Sequence, residues 1–358
     1  RKVPRSLGVP ALVFAFLVLG ASVRGPGGPL DAVRWTLLYL GPLAFGAAVL
    51  TARASPERWA RVALMVALIP LIWSLFLLFD GQRSELFLHG YNRLVGPYKN
   101  HHNLAVMSSG VGTIAVYVLL KDRGYWRWLA LVTGLGCGVC LFYTYVRTSW
   151  LLVAGFVMLF LVLEKRWSLV ALGVALVAAA FALSPTLRDR FSEVGHLLTM
   201  TPPEAGWGSI GSWRVHIWTD SFAHFAAGGW SSILFGEGLG AHLVQHKALD
   251  PHSEYLALLY QLGIAGPLVY LWLFGAAIFA GWRRRSPWGN YVIALTLVTA
   301  ATCLISNDFL GRVTFCWAFW AAVGLAWAEL PEPGGDGRHQ HEGGQDAERL
   351  GELGGKIR

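Results

Sequence analysis

Charge is scarce in this chain. Asp, Glu, Lys and Arg make up 14% of its 358 residues, against about a quarter in a soluble domain. That shortage, with 55% hydrophobic residues, excludes an ordinary soluble globular protein. Cysteine is scarce too. Cys137, Cys140, Cys303 and Cys316 all fall in apolar runs, so no disulfide framework is implied. Cys137 and Cys140 form a CxxC, but they sit among Gly134, Gly136 and Gly138 and read as small helix-packing residues. Acidic residues are fewer than basic ones, giving a net charge of +8. That excess needs no nucleic acid, because Lys and Arg in short cytoplasmic loops produce the same balance.

What is abundant is apolar and aromatic. Seventeen Trp and eleven Tyr suit aromatic belts at two membrane interfaces. A span needs roughly 20 mostly apolar residues. The hydrophobic runs predict ten, at about 7–23, 33–52, 60–79, 103–120, 128–146, 149–164, 167–184, 262–282, 290–307 and 313–330. The expected fold is therefore an all-α polytopic membrane protein. Residues 128–164 are too long for one span, and Arg147-Thr148-Ser149 divides them at a turn.

Orientation follows from the basic residues. Arg53, Arg58 and Arg61, then Lys121, Arg123 and Arg127, then Lys165 and Arg166, then Arg283, Arg284 and Arg285 fall on one side. That side reads as cytoplasmic. Most histidines fall on the other, extracytoplasmic side. The chain then divides into a membrane domain over 1–330, a large extracytoplasmic loop within it over 185–256, and a cytoplasmic tail over 331–358. The tail is rich in Gly, Glu and Gln and poor in apolar residues, and reads as disordered.

A loop as long as 185–256 inside a membrane protein is usually functional. Five short clusters carry candidate chemistry, all on the extracytoplasmic side. Gly96 to Ala105 holds Lys99, Asn100 and Asn103; Asn103 is expected to cap the next helix, whose N-terminus beside Lys99 suits an anion. Arg147 stands at the outer interface, where charge is costly and an arginine matches phosphate oxygens. Trp213-Arg214 opens a predicted loop helix, with Trp218 on the membrane surface. Gly236, Gly238 and Gly240 follow a strand-like Ile233-Leu234-Phe235 and permit a tight turn or a close backbone approach to a ligand. Last, Pro251-His252-Ser253-Glu254-Tyr255 places an imidazole at the mouth of span eight, with Ser253 as its cap.

These clusters, in order, resemble the O-antigen ligase and polymerase (Wzy-type) superfamily of bacterial inner-membrane glycosyltransferases. Gly96 to Ala105 looks like the family's Asn-containing segment ahead of a helix. Arg147-Thr148-Ser149-Trp150 looks like its Ser-Arg-Gly segment, and Trp213-Arg214 with Trp218 like its loop Arg/Trp element. Gly236 to Gly240 looks like Gly-Val-Gly-Leu-Gly, and Pro251-His252-Ser253 through Gly266 like His-Asn-x-x-Leu…Gly-x-x-Gly. The chain departs from the family at Ser253, where Asn is common, and at Thr148-Ser149, where Gly follows the arginine.

The resemblance implies a metal-independent, inverting transfer with no cofactor at the periplasmic face. Its donor would be an undecaprenyl-pyrophosphate-linked glycan, and its acceptor a glycan or lipid A-core hydroxyl. Arg147 and Arg214 would hold the pyrophosphate, and His252 would take the acceptor proton. Lys99, Asn100, Asn103, Trp213, Gly238 and Gly240 would line the substrate site. Polymerase and ligase differ in the acceptor, and the expectation leans to a polymerase. The competing class is a lipid-linked glycan flippase, which should show inverted repeats or broken helices at the midplane; the sequence shows neither.

Overall fold

The computed structural model describes residues 5–26, 28–52, 54–80, 84–86, 92–98, 100–185, 188, 214–241, 251–306 and 313–328. Seven helices come first: α1 (Arg5–Arg24), α2 (Pro29–Thr51), α3 (Pro56–Phe79), α4 (His101–Lys121), α5 (Tyr125–Thr144), α6 (Arg147–Leu163) and α7 (Trp167–Leu183). Then follow α8 (Arg214–Ala227), α9 (Trp230–Phe235), α10 (Glu254–Leu262), α11 (Ala265–Arg284), α12 (Pro287–Thr302) and α13 (Val313–Ala328). Between α3 and α4 two short strands, β1 (Ser84–Leu86) and β2 (Asn92–Arg93), pair antiparallel.

Six of the described helices are long and apolar enough to cross a membrane: α1 to α5 and α11. The chain is an all-α polytopic membrane protein. Helices α6, α7 and α13 are apolar but shorter. Apolar side chains cover the outer surface of α1 and α3, and α7 buries no residue at all, as lipid-facing helices do. The tail expected over 331–358 lies outside the described residues.

Local chemistry sets the helix ends. Ser55 caps α3 by accepting from Arg58 N (3.2 Å), and Ser286 caps α12 by accepting from Gly289 N (3.2 Å). Each is followed by a proline at the first helical position, which has no N–H to leave unpaired. The break in 128–164 is real but sits slightly earlier than Arg147-Thr148-Ser149. Tyr145 turns left-handed (φ 54°), Val146 is extended, and Arg147 is already the first residue of α6. Trp150 Nε1 donates back to Leu141 O (2.7 Å), closing the corner.

Two contacts fix which helix ends lie together. A Cβ on Gly155 of α6 would meet Val298 of α12 at 3.3 Å, while Asn290 at the start of α12 donates to Glu164 Oε1 at the end of α6 (2.8 Å). The two helices are antiparallel. Lys121 at the end of α4 pairs with Glu164, so α4 and α6 run the same way. The N-termini of α4 and α6 and the C-terminus of α12 therefore share one end of the bundle. The opposite end is held by Lys121–Glu164 and by the Arg61–Asp122 pair (2.7 Å). Between the ends, Trp288 and Tyr291 stack in the core with Tyr117 edge-on to both, and Thr113 Oγ1 shares a hydrogen bond with Tyr291 OH (3.1 Å).

Candidate active site

The start of α10 is where three separate segments meet. Pro251 O accepts from Trp218 Nε1 of α8 (2.8 Å). Ser253 caps α10: its hydroxyl accepts from Leu256 N (3.5 Å) and donates to Cys303 O (3.4 Å). Glu254 N donates to Cys303 O (3.0 Å) and Ser306 O (3.2 Å). Arg214 Nη1 donates to Ile305 O in the same turn after α12. Helix α8, the 251–254 turn and the 303–306 turn are thus tied into one knot, with His252 inside it. Its backbone is left-handed (φ 47°), a conformation uncommon outside glycine though less so for histidine. Such strain persists where its surroundings hold it, and it clusters at functional sites. The His252 side chain is half-buried, and the Glu254 side chain is 2% exposed.

The same end of the bundle carries the N-terminus of α4. Asn100, not Asn103, is its cap: Asn100 Oδ1 accepts from His102 N (2.7 Å), and Asn103 N donates to Asn100 O (3.1 Å). Asn103 already lies inside the first turn, where its own N–H needs a partner and its side chain is not placed to cap. Arg93 Nη1 lies 2.8 Å from His101 Nε2, a bond in which the guanidinium donates and the imidazole accepts. Leu94 N donates to Tyr143 O (3.0 Å), joining this segment to the end of α5. Burial raises the pKa of the neighbouring Tyr98 hydroxyl. Alanine at Asn100 should cost about 1 kcal/mol of stability, and serine should restore it. Thermal unfolding of the purified protein checks this.

Arg147 and Arg214 share an arrangement. Arg147 is the first residue of α6 and Arg214 the first described residue of α8, and each is half-buried. At the start of α6 a cation is normally disfavoured, because it adds to the positive end of the helix dipole. Arg147, Arg214 and the N-termini of α4 and α10 bring positive groups to this end of the bundle, with the buried Glu254 among them. Such an end suits a phosphate-bearing ligand.

Comparison with known proteins points to one family. The Wzy_C family, described as O-Antigen ligase, matches residues 129–271. An O-antigen ligase of Pseudomonas aeruginosa is 24% identical over 321 residues, covering 88% of this chain and 75% of the relative. Both matches support the O-antigen ligase/polymerase superfamily. The Wzy_C match contains Arg147, Arg214, Gly238, Gly240 and His252; Lys99, Asn100 and Asn103 precede it.

In this chain the glycine run makes its close approach to the protein itself. Gly236, Gly238 and Gly240 all have positive φ (71°, 100° and 79°). A Cβ on Gly238 would stand 2.4 Å from Gly25 N, and one on Gly236 2.4 Å from the Gln261 carbonyl carbon. Leu239 N donates to Ala21 O (3.1 Å), and Arg24 donates to Phe235 O (2.7 Å) and Gly236 O (3.3 Å). Gln261 completes the dock: its Oε1 accepts from Gly240 N (3.2 Å), and its Nε2 donates to Tyr39 OH (2.9 Å). The run therefore seats the end of α1 against the end of α10. Burial pushes the nearby Tyr260 hydroxyl up to about 12, and it donates to Ser221 O of α8.

Three readings change. Ile233-Leu234-Phe235 is the end of helix α9, not a strand. Trp218, expected at the membrane surface, ties α8 to Pro251. His252 opens the short α10 rather than the long span, which begins after Gly263 as α11. Lys99 and Trp213 lie outside the described residues, as do 189–213 and 242–250 of the long loop. Arg93 and the buried Glu254 are the residues that sequence reasoning underused. Arg93 belongs to no motif, and only its contact with His101 marks it.

Proposed function

We propose that this chain transfers a glycan from an undecaprenyl-pyrophosphate donor to an acceptor hydroxyl at the periplasmic face of the bacterial inner membrane. The observation that carries this reading is the knot that brings Arg214, His252 and the 303–306 turn together, at the same end of the bundle as Arg147 and the α4 N-terminus. The matches to O-antigen ligases support it.

In this mechanism a neutral His252 imidazole takes the acceptor O–H proton. The oxygen attacks the anomeric carbon from the face opposite the leaving group. The bond from that carbon to the pyrophosphate oxygen breaks, its electron pair goes to the pyrophosphate, and the anomeric configuration inverts. Arg147 and Arg214 stabilise the charge that develops there, so guanidinium groups supply the electrostatic stabilisation. The proton on His252 passes to solvent. Asn100 and Asn103 sit at the α4 N-terminus, on the same end of the bundle, and Lys99 precedes them in sequence. The named relative is a ligase, so the acceptor favoured here is a lipid A-core hydroxyl rather than the growing polymer that the lean towards a polymerase assumed.

Arg214 gives the test. Arg214→Ala should lower the transfer rate about 10²–10³-fold, the usual cost of one group that stabilises developing charge. Arg214→Lys keeps the charge but loses the planar fork, and should recover only part of the rate. Transfer from a synthetic lipid-pyrophosphate glycan by purified protein reads both. A full rate in Arg214→Ala removes Arg214 from this role.

A further inference from the structure

The end of the bundle opposite the candidate active site carries a second feature. A cavity of about 390 Å³ opens between the start of α3 and the start of α5, lined by Ser55, Glu57, Arg58, Arg61, Met65 and Trp126, with Val62 and Val66 completing its wall. Its residues change character in one direction. Arg58 and Arg61 stand at the polar mouth. One turn further along α3, Val62, Met65 and Val66 are 56%, 46% and 64% exposed. The exposed apolar face then continues through Ile69, Ile72 and Phe76.

Of the acidic groups at the mouth, Asp122 is paired with Arg61 and Glu57 is exposed. Asp122 takes two hydrogen bonds from Arg61, from Nε at 2.7 Å and Nη2 at 3.0 Å. Glu57 Oε1 accepts from Tyr117 OH at 3.5 Å. Arg61 is also fixed over the Trp126 ring, 5.4 Å from its centroid. Arg58 is exposed, and among the described residues no ion pair holds its side chain. Arg123, Tyr125 and Trp128 are exposed beside the mouth, an interfacial composition.

We propose that this cleft binds an anionic phospholipid, with its phosphate against Arg58 and Arg61 and an acyl chain along Val62, Met65 and Val66. A soluble anion would leave the apolar half of the cleft empty. A zwitterionic lipid would fill that half but gain less from the arginines. Basic pockets between membrane helices suit lipid headgroups for this reason. The site is independent of the transfer reaction, because it lies at the other end of the bundle.

The test is native mass spectrometry of the purified full chain, titrated with phosphatidylglycerol or phosphatidylcholine of identical acyl chains. Phosphatidylglycerol should bind more tightly by about fivefold or more, and Arg58→Gln should reduce that preference by about fivefold, the effect of one arginine near a lipid headgroup. Val66→Trp fills the apolar half and should weaken both lipids. Arg166→Gln, exposed at the same end but outside the cleft, should change neither. Equal binding of the two lipids overturns the proposal, as does an unchanged preference in Arg58→Gln. So does an equal loss in Arg166→Gln, which marks a diffuse surface effect. Inorganic phosphate that competes as well as free phosphatidylglycerol would make this a plain anion site and also overturn it.

Discussion

Replacing His252 with asparagine should lower glycan transfer about 10²–10⁴-fold, the usual contribution of a positioned general base. Asparagine is the informative choice. The backbone at 252 is left-handed (φ 47°), and asparagine tolerates that conformation better than alanine. His252→Asn therefore keeps the turn between Pro251 and Ser253 while removing the proton acceptor. The Trp218–Pro251 and Ser253–Cys303 bonds do not use the His252 side chain, so the knot should survive. Donor binding should then remain within about twofold of wild type, because the loss falls on the chemical step and not on ground-state binding. Single-turnover transfer and equilibrium donor binding separate the two. A loss of binding with an unchanged single-turnover rate would assign His252 to the donor site instead.

The second large effect is structural. Gly238→Ala places a methyl 2.4 Å from Gly25 N, 2.5 Å from the Arg24 carbonyl carbon and 2.6 Å from its oxygen, at φ 100°. These are backbone atoms, so no side chain can rotate out of the way. The left-handed penalty of about 1–2 kcal/mol adds to an overpacking cost of about 1–3 kcal/mol. The α1 end should separate from the glycine run, loosening the bonds of Arg24 to Phe235 and Gly236 and of Leu239 to Ala21. Because Gly238 N also donates to Gln261 O (3.3 Å), the disturbance reaches α10 and His252 with it. The variant should unfold at a markedly lower temperature and lose activity together. Gly124 is the control: its φ is 62°, but a Cβ there meets open space. Gly124→Ala should show only the conformational cost. Equal unfolding temperatures for the two variants would mean that the run does not dock α1.

The membrane helices were legible because each is one long apolar run, and lipid leaves no other way to satisfy the backbone. Their ends were legible where a cap chemistry stands alone, as at Ser253. At α4 two asparagines stand three residues apart, and either could cap; only backbone geometry selects Asn100. Helix α10 was hidden because its mostly apolar residues, Glu254 to Leu262, lead with Gln261 as the one polar residue after Glu254 towards the next hydrophobic run, and Gly263 is what separates them (φ 68°). The apolar Ile233-Leu234-Phe235 is too short for periodicity to tell helix from strand.

Of the candidate site, the residue types were legible and their partners were not. Arginine and histidine at the ends of apolar runs announce themselves by their cost near lipid. The tether from Arg214 to Ile305 spans 91 residues, and nothing local encodes it. Gly238 was legible as a close approach, but what it approaches is Arg24 and Gly25, more than two hundred residues away in sequence.

The central claim is covalent transfer from a lipid pyrophosphate, and one reconstitution tests it most directly. Purified protein in liposomes is given a synthetic undecaprenyl-pyrophosphate glycan and a lipid A-core acceptor, and the products are separated on a gel and by mass spectrometry. The account predicts one glycan joined to the core lipid, with undecaprenyl pyrophosphate released in equal amount and both products lost in His252→Asn. Donor that crosses between leaflets with its glycan still attached, and no conjugate formed, would contradict it and favour a lipid-linked glycan flippase.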